Sequence, residues 1–322
     1  MRPGRLSTQA EIFRSQAGQC EGRSPLYVDL CRRLAEDPRA PTLVGEMSWD
    51  APLRLLGGLH ALVLSGGASW EDLDAALEHD DLRRLAARSI QTNEVRRSWV
   101  LLPCFLELSR RTDAPTFDVI ELGSSAGFNL LWDRYQYAYD AGSSGPQDAL
   151  LELDGEEHPP VPAQLLELQP RVRRRIGVDL DPVDVTTEEG ALWLRSFVWP
   201  GQEGRLERLD QAIEAVRCAP PTLLRGDLAE LLPELLAAHD PDVLTVVFET
   251  AVLGYLSYGD WERVGDSLAE AGRDGSLAFV WTARPAEDVH DYWGLWLQLW
   301  PGNGPELVAH ADFHGAWIEW LA

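Results

Sequence analysis

The stretch FDVIELGSSAGFNLLWDRYQY, from Phe117 to Tyr137, decides how the rest of the chain is read. Phe117 to Leu122 is a short apolar run, and a turn bracketed by Gly123 and Gly127 follows it. Two machines fit these residues. G-S-S-A-G matches the GxSxG nucleophile elbow, in which a sharp strand-to-helix turn exposes a serine, here Ser125. The same residues suit the first strand and turn of a nucleotide-binding sheet, where small residues let backbone approach a ligand beside unpaired helix N–H groups.

Downstream, short apolar runs at FDVIEL, RRIGVDL, PTLLRG, VLTVVFE and SLAFVWT alternate with helical patterns at 126–135, 201–216, 229–238 and 260–271. That texture predicts a mainly parallel sheet wrapped by helices. The tail differs, because GLWLQLW, ELVAHA and AWIEWL are separated by PGNGP and DFHG, which predicts antiparallel strands closing the sheet edge. Between Tyr139 and Pro162 the turns GSSGP and DGE read as an irregular insertion.

Upstream the chain reads as helices. Thr8 and Glu11 have capping-box spacing, Ser24 precedes Pro25, and Ser69 precedes Glu71 and Asp72, each a helix start. Val95, Trp99, Leu102 and Leu106 predict a longer helix over about 88–110. The expected architecture is α/β, with an N-terminal helical region at 1–112 and a sheet domain at 113–322 that carries an insertion at about 137–169.

Composition narrows the function classes. The chain has 322 residues and an apolar share of 45%, enough for a large core. A net charge of −24 repels phosphate backbones and anionic lipid, and the one dense basic cluster, Arg171 with Arg173 to Arg175, is too short to reverse this. Neither nucleic acid nor membrane is expected as a partner. No run of eighteen apolar residues occurs and no apolar h-region follows the first basic residues, which predicts a cytoplasmic protein. Cys20, Cys31, Cys104 and Cys218 share no CxxC spacing and are expected to be reduced, buried thiols.

The elbow reading, a serine hydrolase, lacks an oxyanion loop before Ser125, although His310 and His314 stand late in the chain. The nucleotide reading draws on the next strand ends. RRIGVDL carries Asp179 near its end, placed to take ribose hydroxyls, and PTLLRG leads to Asp227 and Leu228, placed against a base. Here the chain resembles the class I S-adenosylmethionine-dependent methyltransferases, in which an acidic residue precedes a glycine-rich turn and further acids end the next strands. Glu121, Gly123, Gly127, Asp179 and Asp227 match that pattern, and Ser125 replaces the middle glycine. The resemblance implies a Rossmann-like methyltransferase-type fold that binds S-adenosylmethionine through those residues with Ser124, Ser125, Asn129 and Leu228. From Gly127 to Asp179 the chain runs 52 residues, against about 20 in the usual spacing. An insertion there could cover the site.

A second resemblance spans nearly the whole chain. QTNEVRRSWVLLP, ELGSSAGFNLLWDRYQY, GVDLDPVDVT, WLRSFVWPGQ and FHGAWIEW are similar to a bacterial family, domain of unknown function 2332, which carries no assigned reaction. The acceptor is therefore open between a small molecule and a protein. Glu249, ending VLTVVFE, and His314, in DFHG, are the candidate bases. A non-catalytic cofactor-binding module remains the alternative to both enzymes. His310, Asp312 and His314 would share one face of a continuous strand, but the turn DFHG interrupts it, and no metal is expected.

Overall fold

The computed structural model describes residues 8–273, 275–284, 292–302 and 304–322. It divides into two compact units, residues 1–92 with 184–209, and residues 93–183 with 210–322. The first unit is helical. Its entry is the capping box expected from the sequence, with the Thr8 hydroxyl accepting from Glu11 N at 3.3 Å and Thr8 N donating to Glu11 Oε2 at 2.7 Å. Ser24 also precedes a helix, Pro25–Leu34, but makes no side-chain cap; its hydroxyl donates to Pro200 O at 2.8 Å. Ser69 only starts a turn, and Asp72 caps the Leu73–Leu77 helix through Ala75 N. The 184–209 segment contributes the helix Glu188–Arg195, whose Trp193 is buried edge-on to Phe197 and carries the Arg88 guanidinium at 4.1 Å from a ring centroid.

The second unit is built on a nine-stranded sheet. In chain order the strands are β1 (Thr116–Leu122), β2 (Gln136–Tyr139), β3 (Gly142–Ser144), β4 (Glu152–Leu153), β5 (Glu156–Glu157) and β6 (Arg171–Asp179). There follow β7 (Thr222–Arg225), β8 (Leu244–Glu249), β9 (Leu277–Ala283), β10 (Tyr292–Trp300), β11 (Glu306–Asp312) and β12 (Trp317–Trp320). The large sheet runs β7-β6-β1-β8-β9-β10-β11-β12-β5. β7, β6, β1, β8 and β9 are parallel, and β10, β11 and β12 alternate in direction as the meander reading expects. β1 and β8 are buried almost throughout, which is why FDVIEL and LTVVFE do not alternate; in β1 even the acids Asp118 and Glu121 are buried. The turn PGNGP includes Asn303, which lies outside the described residues.

The expected insertion is not irregular. β2, β3 and β4 form a small separate sheet, and β5 joins β12 at the edge of the large one. Its anchor is the alternation in YQYAY. Tyr135, Tyr137 and Tyr139 are buried, and their hydroxyls donate to the carbonyls of Phe128, Trp132 and Trp99 at 2.8, 2.6 and 2.5 Å. Phe128–Arg134 is a 3₁₀ segment, not the α-helix expected at 126–135. Tyr135 and Tyr137 take up carbonyls of this segment, and Tyr139 takes the Trp99 carbonyl, for which Pro103, four residues on in its helix, has no N–H to offer. The helix expected over 88–110 begins later, at Arg97, and runs to Thr112.

Two members of the basic cluster, Arg173 and Arg175, are taken up in ion pairs. Arg173 bridges Asp118 and Asp240 at 2.6 and 2.8 Å, and Arg175 holds Asp133 at 2.5 Å while donating to Leu130 O. Asp133 also accepts from Val172 N at 3.0 Å, so this pair sews the 3₁₀ segment to the start of β6. Arg175→Ala leaves a largely buried carboxylate without its cation and is expected to cost on the order of 3 kcal/mol. Urea unfolding should show a lower midpoint with an unchanged slope.

Candidate functional site

The turn after β1 is an alternation of left-handed residues: Gly123, Ser125 and Gly127 have φ of 71°, 51° and 76°. Glycine takes this conformation freely, whereas a serine there costs about 1 kcal/mol. Ser125 is held by Asp179, whose Oδ2 accepts from Ser125 N at 2.8 Å while its Oδ1 accepts from Asp181 N at 2.8 Å. Gly123 N and Ser124 N both donate to Val178 O, at 2.8 and 3.2 Å, so the turn folds onto the end of β6. Asn93 Nδ2 donates to Ser124 O at 2.7 Å from the other side. A Cβ at Gly177 would lie 2.3 Å from Ser124 Oγ, which explains a glycine in mid-strand.

The room left by the two turn glycines is filled by the protein itself. A Cβ at Gly123 would meet Val252 Cγ2 at 2.5 Å, and one at Gly127 would meet Pro221 Cγ at 2.8 Å. Gly127 is thus a packing glycine, and Val252 sits where a ligand would approach Gly123.

Two buried carboxylates flank the turn with different surroundings. Glu249, level with Leu122 in the β1–β8 register, is fully buried. Its Oε1 accepts from Thr282 N and Oγ1 at 2.6 and 3.0 Å, and its Oε2 accepts from Val252 N at 2.9 Å. It therefore ties β8 to β9 and positions Val252. Glu121 is 1% exposed, and Asn129 Nδ2 reaches its Oε1 at 3.2 Å, with the amide oriented by Ser98. Burial raises the Glu121 carboxyl from 4.5 to about 8, opposed by the Asn129 hydrogen bond and assisted by the charge of Asp179. Arg97 acts in the opposite sense on Glu121, and it lies between the strand ends, donating to Phe313 O at 3.0 Å and facing Trp293. Among the described residues, Glu121 Oε2, Asn93 Oδ1, Ser124 Oγ and Ser125 Oγ are buried without a hydrogen-bond partner. Four such atoms around one turn are a concentration of unmet polar capacity.

The structure brings Glu121, Gly123, Ser124, Ser125, Asn129 and Asp179 into one bonded cluster. Asp227 stands at the neighbouring strand end as the N-cap of the helix Leu228–Ala237, accepting from Ala229 N at 2.8 Å, and Leu228 is buried. β11 runs parallel to the central strands, so the turn carrying His314 lies at the same, carboxyl end of the sheet. His314 N is fixed by Asp312 Oδ1 at 2.9 Å. His310 instead pairs with Glu319 at 2.7 Å across β11 and β12, and no described group of three or more His, Cys, Asp or Glu is arranged to hold a metal ion. Of the cysteines, Cys218 is exposed, contrary to the expectation of four buried thiols.

Two residues escape sequence reading. Leu180, directly after Asp179, is 72% exposed, a large apolar side chain standing at a strand end among acids. Arg97 reaches the turn only through the fold, whereas Asn93, which with Glu94 the family resemblance makes a candidate for the site rim, is found at the turn. The sole sequence signal for Leu180 is a leucine where a polar loop residue would be ordinary.

A protein-family model described as "Uncharacterized protein conserved in bacteria (DUF2332)" matches residues 10–320. No curated protein matches the chain. No described helix is long and apolar enough to cross a membrane.

Because Glu121 ionises near 4.5 when unfolded and near 8 when folded, its contribution is fully present below pH 4.5 and is lost as pH rises to about 8. Stability should fall across that window by up to about 1.4 kcal/mol per pH unit from this group. Glu121→Gln removes the loss. Urea unfolding of both proteins from pH 5 to 9 should show the variant gaining on the parent until pH 8 and then running level.

Proposed function

The chain belongs to this family of uncharacterised bacterial proteins, and from its site we propose that it binds S-adenosylmethionine and transfers the methyl group to a small-molecule or protein acceptor. The observation that carries the reading is the end of β6, where the fixed carboxylate of Asp179 stands beside the exposed Leu180. A nucleoside asks for that pair, hydroxyl acceptors next to an apolar face for a flat base. Each Asp179 oxygen has one lone pair committed to backbone and another to offer.

Topology supports it. The chain builds β1, β6 and β7 outward in one direction, then returns to β8 and β9 on the other side of β1. Ligands in open α/β sheets lie at the carboxyl ends where that reversal occurs. We read the five parallel strands as a Rossmann-like methyltransferase-type sheet on this ground. The buried polar atoms around the turn fit the polar arm of such a cofactor, provided Val252 swings away from Gly123 to admit it.

Bound S-adenosylmethionine supplies an electrophilic methyl group on a sulfonium. Glu121 favours a cation near the turn, and a cation there favours its ionised form. Glu249, already accepting three hydrogen bonds, serves to hold the Val252 segment and has little capacity left as a base. His314 is the remaining candidate for taking the acceptor's proton. For a hydrolase, Ser125 has the strained backbone but no hydrogen-bond partner for its hydroxyl.

Calorimetric titration with S-adenosylmethionine and S-adenosylhomocysteine tests the reading. Asp179→Ala should weaken binding at least tenfold, since a charge-assisted bond contributes roughly 1.5–3 kcal/mol. Asp179 also anchors the turn, so Leu180→Asp, at an exposed position, is the cleaner variant and should weaken both ligands. Absence of heat with either ligand at millimolar concentration would sink the proposal, and fluorophosphonate labelling at Ser125 would replace it with the hydrolase.

A further inference from the structure

A cavity of about 200 Å³ lies at the other end of the sheet unit, against the first residue of β6. Its apolar wall comes from Leu102 and Leu106 of the Arg97–Thr112 helix, Trp132 of the 3₁₀ segment, and Leu168. Its polar groups differ in what they have left to give. Asp133 lines the cavity, but both its oxygens are held by Arg175 and one also takes Val172 N, so its charge is compensated. Arg171 lines the rim, exposed, and its guanidinium, like that of Arg174, which does not line the cavity, makes no ion pair or hydrogen bond among the described residues. Ser144, 7% exposed, lines the wall with a hydroxyl that likewise has no partner there.

We propose that this cavity binds a small monocarboxylate with an apolar tail, the tail against Leu102, Leu106 and Trp132, and the carboxylate taking Arg171 and the Ser144 hydroxyl. The volume sets the size. At roughly 30 Å³ per water it is worth six or seven waters, below the 300–1,000 Å³ of drug-sized sites, so a short chain or a single ring fits. The sign follows from charge: with Asp133 neutralised, the unpaired group at the rim is a cation, and a carboxylate is its ordinary planar partner. The insertion that forms β2 to β4 thereby has a use of its own. The inference does not depend on the methyltransferase reading, since no residue is shared.

The test is saturation-transfer NMR on the full chain with hexanoate and, separately, hexanamide. Hexanoate should bind, and Arg171→Gln, at an exposed position, should weaken it tenfold or more while leaving hexanamide within about twofold. Leu106→Trp fills the cavity and should abolish both. No transfer to hexanoate in the parent protein, or hexanoate binding unchanged in Arg171→Gln, overturns the proposal; the second result holds whether or not Leu106→Trp folds.

Discussion

Asp179 is the group on which the carboxyl end of the sheet unit depends. One of its oxygens holds the turn after β1, and the other holds the backbone leaving its own strand. A serine in a left-handed conformation persists only where its surroundings over-determine it, and a charge-assisted bond to its N–H is such a constraint. The carbonyl of Asp179 also accepts from Gly226 N at 2.9 Å, which sets the end of β7 beside it. Three strand ends are thus fixed relative to one another through a single residue. The exposed Leu180 and the cap at Asp227 inherit their places from that arrangement.

The two buried glutamates show how the same residue type at adjacent strand ends acquires different chemistry. Glu249 meets backbone donors from β9 and from the segment that follows it, and becomes part of the scaffold. Glu121 has a single hydrogen bond, from the Asn129 amide, and burial, with the charge of Asp179, favours its neutral form. An acid buried with one oxygen unmet is expensive, and such groups gather at sites that exchange ligands or protons.

Eight strands of the large sheet, the helices around them, and the carboxyl-end meander were legible in the chain, because buried strands read as unbroken apolar runs and glycine and proline punctuate them. The insertion was not. Its strands are two to four residues long, too short for periodicity, and the hydroxyl of Tyr139 that ties it to the preceding helix finds a carbonyl 40 residues away. The 3₁₀ segment failed for the same reason, since FNLLWDR has helical spacing and only its contacts with Tyr135, Tyr137 and Arg175 tighten it.

What the sequence by itself determined was which residues stand at the ends of the parallel strands: the acid before the glycine turn, the acid ending β6, the capping acid after β7. Local pattern carries that much, because strand length and turn chemistry are properties of a few adjacent residues. Only the tertiary structure decided what each does. It gave Gly127 to packing, set Val252 over Gly123, saturated Glu249 and left Glu121 half satisfied, and brought Asn93 and Arg97 to the turn. Those outcomes depend on side chains far apart in the chain, and burial and partner count, not residue type, set the charge and capacity of a polar group.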